Sequence, residues 1–207
     1  TVEENSEVVI PAVTFPLIEQ LVRLNSGKPV FANMNPDLST NLTEIVKCIN
    51  RNTKAVFICN PNNPTGEVLS RKSILELAEK ISPILIIVDE ANIDFGGESV
   101  IEDTKAFKNI VVLRTFSKGF GLAGLRIGFL VASRKIANII QEITIPFEIN
   151  ALSTEAALAA IKDKRFLAKT SQVVKSERDF LVKELSKRSF DIIPGKADRT
   201  GMGPVIL

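Results

Sequence analysis

The sequence predicts an α/β fold with three layers, in which a mostly parallel β-sheet is flanked by helices. Two observations lead to this prediction. The strand-like segments are apolar throughout rather than alternating, as is typical of strands buried on both faces of a sheet. Segments with helical periodicity lie between them, an order that builds parallel sheets from βαβ units. Such sheets bind ligands at the carboxyl ends of their strands, so we expect the functional site at that edge.

Continuous apolar segments are predicted to be the strands of this sheet, each buried on both faces. They are rich in Val and Ile, the residue types that favour strands. In chain order they are EVVI (7–10), PVFA (29–32), AVFIC (55–59), ILIIVDE (84–90), IVVL (110–113) and IGFLVA (127–132).

Two of the helices between the strands can be placed from their caps. Ser70 is predicted to cap a helix whose apolar stripe runs from Ile74 to Ile81 at helical spacing. Thr14 is predicted to cap an earlier helix that ends at Gly27.

The second part of the chain has a different character. Residues 150–162 are rich in alanine and are predicted to be helical. The heptad pattern over 165–188 predicts one long amphipathic helix rather than a coiled coil, because it is too short to sustain one. We therefore expect a large domain over 1–160 that is incomplete at its N-terminus. A linking helix and the start of an incomplete small C-terminal domain are expected over 161–207.

The composition limits the chemistry that these residues can perform. The chain has 12 Phe but no His, Tyr or Trp, which leaves lysine, carboxylates, hydroxyls and amides as its reactive groups. Cys48 and Cys59 lack the spacing of metal ligands, and no metal site is predicted. The net charge of +2 and the absence of a signal peptide or a membrane-length apolar run predict a cytoplasmic protein that binds neither nucleic acid nor membranes.

Two nucleotide-binding motifs match short stretches of the sequence but fail on context. Gly119, Gly121 and Gly124 spell G-x-G-x-x-G, the fingerprint of dinucleotide-binding proteins. The apolar run that begins at Ile127 follows too closely to leave room for the helix on which a pyrophosphate would rest. The segment ILIIVDE is similar to the acidic strand of a P-loop ATPase, but the loop G-x-x-x-x-G-K-[ST] does not occur in the chain.

Three polar clusters remain, and each follows a predicted strand. NPNNPTG covers 60–66, Asp89 and Glu90 end ILIIVDE, and TFSKGFGLAGLR covers 115–126. Because the carboxyl ends of parallel strands meet at one edge, we expect the three clusters to lie together. They would offer an amide, a buried carboxylate, a lysine, hydroxyls and an arginine, a set that suits a phosphorylated aromatic aldehyde containing nitrogen.

These clusters, in this order and at these separations, resemble those of the fold-type I pyridoxal-phosphate-dependent aminotransferases. In detail they are most similar to the histidinol-phosphate aminotransferase branch, and the resemblance extends from about Glu7 to Ala160. It implies pyridoxal 5'-phosphate as cofactor and a homodimer. It also implies transfer of an amino group from a small donor, such as an amino acid or an amino-alcohol phosphate similar to histidinol phosphate, to a 2-oxo acid acceptor.

The resemblance implies roles for individual residues around the cofactor ring. Lys118 matches the catalytic lysine that forms the internal aldimine with the cofactor aldehyde. Asp89 matches the carboxylate that pairs with the pyridine nitrogen, and Asn63 matches the amide that binds the ring 3-oxygen. Asn92 stands where the family has a tyrosine that donates to the same oxygen, so an amide would take that place.

The third cluster is expected to hold the cofactor phosphate. Thr115, Ser117 and Arg126 match the family's phosphate-binding hydroxyls and guanidinium, and an arginine can bind a phosphate through two hydrogen bonds. The glycines of this cluster are expected to let the backbone turn closely around the bound group.

Two alternatives stay open. A decarboxylase of an amino-acid phosphate shares these motifs, and substrate-binding residues outside this chain would decide between the two reactions. A catalytically impaired module that uses the fold to bind a partner is compatible with Asn92. The aromatic residue that stacks on the cofactor ring and the arginine that receives the substrate carboxylate are not visible in the sequence.

Overall fold

The computed structural model describes residues 4–188, 190, 192–193 and 205–206, and it contains a six-stranded sheet. The strands are β1 (Glu7–Pro11), β2 (Lys28–Ala32), β3 (Thr53–Cys59), β4 (Leu85–Asp89), β5 (Ile110–Thr115) and β6 (Gly128–Ala132). Their order in the sheet is β2-β1-β3-β4-β5-β6. Strands β1 to β5 pair in parallel, whereas β6 pairs antiparallel with β5. The mostly parallel sheet expected from the sequence is therefore confirmed.

Helices connect the strands and continue beyond the sheet. They are α1 (Leu17–Leu24), α2 (Leu42–Cys48), α3 (Arg71–Lys80), α4 (Arg134–Ile143), α5 (Ala151–Lys162) and α6 (Lys164–Ser186). Short 3-10 helices cover Ile93–Phe95, Ile101–Lys105 and Ala123–Leu125. The short strands β7 (Ile192–Ile193) and β8 (Val205–Ile206) pair antiparallel after α6. The rest of the expected small domain lies outside the described residues.

Two of the three apolar clusters of the described core lie on opposite faces of the sheet, because successive strand residues point to opposite sides. The third contains Phe116, Ile127 and Ala157. On one face, Val9, Val56 and Val88 pack with residues of α2 and α3. On the other face, Val8 and Phe57 pack with residues of α1. The sheet is thus covered by helices on both faces, which confirms the three-layer architecture.

The edge strands differ from the prediction of burial on both faces. Residues of β6 are exposed or half-buried, and β2 also has exposed positions, because each has a neighbouring strand on one side only. The direction of β6 also has a local cause. A parallel return needs a crossover connection, usually a helix, and the loop over 116–127 holds only the short 3-10 helix Ala123–Leu125. The chain therefore returns antiparallel to β5.

Three helix predictions are confirmed. The Ser70 hydroxyl oxygen accepts the backbone N–H of Ser73 at 3.1 Å and caps α3. Helix α5 occupies the alanine-rich segment predicted over 150–162. The heptad pattern predicted over 165–188 forms one continuous helix, α6.

The prediction that Thr14 caps the first helix is wrong. Its hydroxyl instead donates to Oδ1 of Asn62 at 2.9 Å, and α1 begins at Leu17 with no side-chain cap. The helix also ends before the predicted Gly27, and Ser26 takes the left-handed conformation with φ 61°. A tertiary hydrogen bond thus uses the hydroxyl that local capping would otherwise take.

Across the described part of the chain, no helix has the length and apolar character needed to cross a membrane. The same residues contain no cluster of acidic or cysteine side chains placed to hold a metal ion.

Candidate functional site

The three polar clusters begin at neighbouring strand ends that lie in register. Cys59 at the end of β3 pairs with Asp89 at the end of β4, which pairs with Leu113 of β5. Backbone hydrogen bonds extend this register into the loops. The N–H of Asn60 donates to the carbonyl of Asp89 and the N–H of Glu90 donates to that of Leu113, each at 2.9 Å. The prediction that the clusters meet at one edge of the sheet is confirmed.

The loop after β3 is fastened to the loop after β1 by Asn62. Its amide nitrogen donates to the carbonyl of Val13 at 3.0 Å, and its amide oxygen accepts the Thr14 hydroxyl. Asn63, the predicted ligand of the ring oxygen, follows directly and is half-buried. Within the described residues its side-chain amide has no hydrogen-bond partner, so it remains available to a ligand.

Asp89 ends β4 with a half-buried carboxylate. Its Oδ1 accepts the N–H of Ala91 at 2.9 Å, and no other hydrogen bond reaches this carboxylate from the described side chains. Burial raises the pKa of Asp89, while the hydrogen bond from Ala91 and the positive charge of Lys118 act in the opposite direction. The structure therefore brings Asp89 and Lys118 within electrostatic reach of each other.

Lys118 lies in a tight turn that follows β5. Its carbonyl accepts the N–H of Gly121 at 2.9 Å, and the carbonyl of Phe116 accepts the N–H of Leu122 at the same distance. The side chain is exposed, and its ammonium forms no ion pair with a carboxylate of the described residues. The backbone of Lys118 is thus fixed by the turn, whereas its ammonium group forms no ion pair with the described residues.

The three predicted phosphate ligands occupy the two ends of one loop. Thr115 and Ser117 lie on the same turn as Lys118, where the Thr115 hydroxyl oxygen accepts the N–H of Ser117 at 3.0 Å. Arg126 is exposed at the far end of the loop. It returns to the same end of β5, because Gly128, two residues later, pairs with Thr115. No contact between described residues joins the Arg126 guanidinium to either hydroxyl.

Arg126 has a backbone conformation that is uncommon for a residue with a side chain. Its φ is 50° and its ψ is 45°, in the left-handed region. One of its guanidinium nitrogens donates to the carbonyl of Ala123 at 3.0 Å. The backbone strain is localised at a predicted ligand, which is a place where strained residues concentrate.

Asn92 is buried, with 8% of its surface exposed, and directly precedes the 3-10 helix Ile93–Phe95. Its carbonyl accepts the N–H of Phe95 at 3.0 Å, whereas its side-chain amide has no hydrogen bond to another described residue. Three polar groups near this edge therefore make no hydrogen bond to the described residues: the side-chain amides of Asn63 and Asn92 and one carboxylate oxygen of Asp89. This donor and acceptor set fits a polar aromatic ring that carries a basic nitrogen and an anionic oxygen.

Cys59 is the neighbour of Asp89 across the sheet. Burial, then the charge of Asp89, raises the pKa of its thiol to about 12, against a smaller opposing hydrogen bond from the backbone of Asn63. The thiol therefore stays protonated near neutral pH and adds no second negative charge beside Asp89.

Sequence reasoning missed a buried ion-pair network next to these residues. The side chain of Glu90 is 0% exposed and that of Arg114 is 19% exposed. The Glu90 Oε2 atom lies 2.9 Å from Nε of Arg114, whose N–H is not aimed at it, so the contact is an ion pair without a directed hydrogen bond. A second carboxylate, Asp94, lies 3.5 Å from Nη1 of Arg114. The signal in the sequence was an arginine at the end of an otherwise apolar strand, IVVLRT.

The sequence identified no aromatic residue for the site, but the loop after β1 carries one, Phe15. It follows Thr14, whose hydroxyl binds Asn62 next to Asn63. Phe15 is 36% exposed. The signal that could have identified it was its place in the loop that follows β1.

The glycines of the third cluster do not all have the expected role. A Cβ atom at Gly119 would lie 2.6 Å from Oδ2 of Asp94 and 2.8 Å from Leu167, so this glycine allows close packing within the protein. Gly121 has φ 70°, which favours glycine in the turn. No atom of the described residues lies within 4 Å of a Cβ at Gly124, so the role expected of this glycine beside a bound group stays a prediction.

A family model for aminotransferase class I and II matches residues 1–202. The chain belongs to this family.

Two curated relatives illustrate how far this aminotransferase similarity extends. The chain is 36% identical over 197 residues to the histidinol-phosphate aminotransferase of Methanocella arvoryzae, covering 95% of this chain and 54% of that protein. It is 34% identical over 187 residues to the enzyme of the same name from Caldanaerobacter subterraneus, covering 90% and 53%. The chain therefore spans about half the length of the curated relatives it matches.

A solved structure shows the same fold as this aminotransferase-family chain. The histidinol-phosphate aminotransferase of Sinorhizobium meliloti, in complex with pyridoxal-5'-phosphate, superposes with a TM-score of 0.88 at 24% identity. The match covers 94% of this chain and 54% of that one.

We expect Gly119→Ala to destabilise the chain by about 1–3 kcal/mol, because the added methyl would collide with Asp94 and with Leu167 of α6. Gly124→Ala is the matched control. Its methyl meets open space, so its free energy of unfolding should change by less than about 1 kcal/mol. Urea denaturation of both variants measures the difference, and equal effects would contradict the packing argument.

We expect Asp89→Asn to raise the free energy of unfolding at neutral pH. The raised pKa of Asp89 means that the folded chain binds this proton more tightly than the unfolded chain. Stability is therefore lost as the pH rises above the ordinary carboxyl value of 3.8, and an amide avoids that loss.

Asp103→Asn is the control for this effect. Asp103 is buried and accepts two hydrogen bonds from Arg71, at 2.8 and 2.5 Å, so its substitution should lower the free energy of unfolding at neutral pH. Urea titrations across the acidic range should show the Asp89→Asn gain shrinking towards about pH 4. A loss of stability in Asp89→Asn would contradict the burial argument.

Proposed function

We propose that this chain binds pyridoxal 5'-phosphate and carries the site of an aminotransferase, with Lys118 as its covalent attachment point. The observation that carries the proposal is the edge of the sheet where Asp89 and Lys118 come within electrostatic reach. Its setting is a chain of the class I and II aminotransferase family. The names of the relatives and the cofactor in the similar Sinorhizobium meliloti structure support the same conclusion.

The polar side chains at this edge that lack a hydrogen-bond partner among the described residues would each bind a different part of such a cofactor. The carboxylate of Asp89 would hold a proton on the ring nitrogen, and the amides of Asn63 and Asn92 would donate to the ring oxygen. The Lys118 nitrogen would bind the aldehyde and, once displaced by a substrate amine, would move the proton of the substrate carbon. When bound, the cofactor supplies an electron sink for the charge left on that carbon.

The phosphate would bind at the turn that carries Lys118. The hydroxyls of Thr115 and Ser117 would donate hydrogen bonds to the phosphate. The guanidinium group of Arg126, at the other end of the loop, would donate two more and supply a positive charge. A phosphate would balance the guanidinium, whose only hydrogen bond among the described residues is to a backbone carbonyl.

The substrates proposed are a small amino donor and a 2-oxo acid acceptor. The names of the relatives favour an amino-alcohol phosphate similar to histidinol phosphate as the donor. A decarboxylase of an amino-acid phosphate has less support, because both relatives described above are aminotransferases. We assign the cofactor-binding large domain to 1–160 and the linking helix with the start of the small domain to 161–207, and we place the protein in the cytoplasm.

A homodimer is proposed as the working assembly. The connection between α4 and α5 exposes large apolar side chains, including Ile145 at 72% and Phe147 at 99%. Ile143 at the end of α4 and Leu152 near the start of α5 are 77% and 79% exposed. Several exposed large apolar side chains along one short segment support a protein-contact surface there.

Addition of pyridoxal phosphate to the purified chain should produce a visible absorption band. Borohydride should fix the cofactor to the peptide that contains Lys118, as mapped by mass spectrometry, because reduction makes the bond permanent. Lys118→Ala should abolish the band, whereas Lys135→Ala, a lysine at the start of α4, should retain it.

The response to substrates then separates the reactions. Bleaching of the band by glutamate supports transamination, and release of carbon dioxide from an amino-acid phosphate supports a decarboxylase. Absence of a band in the unaltered chain would overturn the proposal and favour a partner-binding module.

Phe15 is proposed as the residue that stacks on the cofactor ring. We expect Phe15→Ala to weaken pyridoxal phosphate binding by roughly tenfold, the order of loss expected for one aromatic contact. Phe31→Ala is the matched control, because Phe31 is a similarly exposed phenylalanine on the edge strand β2. Absorbance titrations measure both affinities, and an equal effect of the two substitutions would remove Phe15 from the site.

A further inference from the structure

The ion-pair network beside the site is built around one guanidinium. Arg114 lies on β5 immediately before Thr115, with Glu90 on one side and Asp94 on the other. Its Nη2 atom donates to the Ser99 hydroxyl at 3.2 Å. A single side chain thus joins the end of β4, the 3-10 helix after it and the loop that follows.

The carboxyl group of Glu90 is completely buried, and each of its oxygens accepts a hydrogen bond. Its Oε1 accepts the N–H of Val100 and its Oε2 accepts the Ser99 hydroxyl, both at 2.7 Å. Arg114 supplies the opposite charge. A buried carboxylate is tolerated only when it is paired and hydrogen-bonded in this way, so the position of Arg114 is tightly determined.

Asp94 connects Arg114 to the turn that carries Lys118, because it contacts both. Its carboxylate lies so close to Gly119 that a Cβ there would approach Oδ2 to 2.6 Å. Its carbonyl accepts the Ser171 hydroxyl of α6 at 2.7 Å, which fixes the backbone from the other side. Burial raises the pKa of Asp94 and the charge of Arg114 opposes that rise.

Two members of this network are next to a residue of the proposed cofactor site, and the third packs against the neighbour of another. Glu90 follows Asp89, and Arg114 precedes Thr115. Gly119, against which Asp94 packs, follows Lys118.

We propose that Glu90, Arg114 and Asp94 are positioning residues that hold the Lys118 turn opposite Asp89. This inference rests on the proposed function for its chemical meaning, but the placement of the turn can be measured without cofactor. Arg114 anchors the network on the buried Glu90, and Asp94 carries the contact to Gly119. The network acts through Lys118 and touches no reacting atom itself.

Two conservative variants test the proposal. Asp94→Asn keeps the shape of the side chain and removes its charge, and Arg114→Lys keeps the charge but cannot reach the three acceptors at once. Glu7→Gln is the matched control. Glu7 is also a buried carboxylate, bonded to Asn50 at 2.6 Å and to Lys28 at 3.3 Å, but it lies at the opposite edge of the sheet.

The first measurement is amide hydrogen exchange of the chain without cofactor. In Asp94→Asn and Arg114→Lys, exchange should accelerate over 116–122 while β3 and β4 keep the rates of the unaltered chain. Glu7→Gln should leave 116–122 unchanged. Acceleration spread evenly over the whole sheet would mean a general loss of stability and would overturn the positioning role.

The second measurement is pyridoxal phosphate binding followed by absorbance. Both variants should bind at least about tenfold more weakly, and Glu7→Gln should bind as the unaltered chain does.

The outcomes separate this inference from the proposed function. If the unaltered chain binds pyridoxal phosphate but the variants match it in both affinity and turn exchange, the positioning role is overturned and the function stands. If no absorbance band forms in the unaltered chain, the proposed function fails. Exchange over 116–122 then still decides whether the network holds the turn.

Discussion

Parallel pairing of β3, β4 and β5 is the constraint on which the site depends. Because Cys59, Asp89 and Leu113 lie side by side at the strand ends, the segments that follow must begin next to one another. Loops of different length and composition are thereby brought to one place. The chemistry of the edge follows from which side chains come first after each strand, and the sheet supplies the rigid platform that holds them.

The two acidic residues at this edge, Asp89 and Glu90, differ in how their carboxyl groups are paired. Glu90 is fully buried and completely paired, by Arg114, a hydroxyl and a backbone N–H. Asp89, one residue earlier, has a raised pKa and one oxygen that accepts no hydrogen bond from the described residues. The paired carboxylate contributes to a defined structure, whereas the incompletely paired one reduces stability and keeps its capacity to bind a ligand. Adjacent acidic residues thus have opposite physical roles.

The turn that carries Lys118 combines a fixed backbone with a free side chain. Gly119 permits contact with Asp94, Gly121 supplies the left-handed turn, and α6 packs from outside through Leu167 and Ser171. The lysine tip has no ion pair in the described part of the chain and is open to solvent. This arrangement would suit the attachment role proposed for Lys118, because a nucleophile must be placed accurately and yet be able to exchange partners.

The sequence by itself determined the strands, the Ser70 cap, the order of the three clusters and the family they resemble, because period, capping and motif spacing are local properties. Only the tertiary structure decided that Thr14 bonds to Asn62, that β6 returns antiparallel, and that Arg114 joins Glu90 to Asp94. A hydroxyl or a charged side chain could pair with many groups along the chain, and the packing of the folded chain selects one of them.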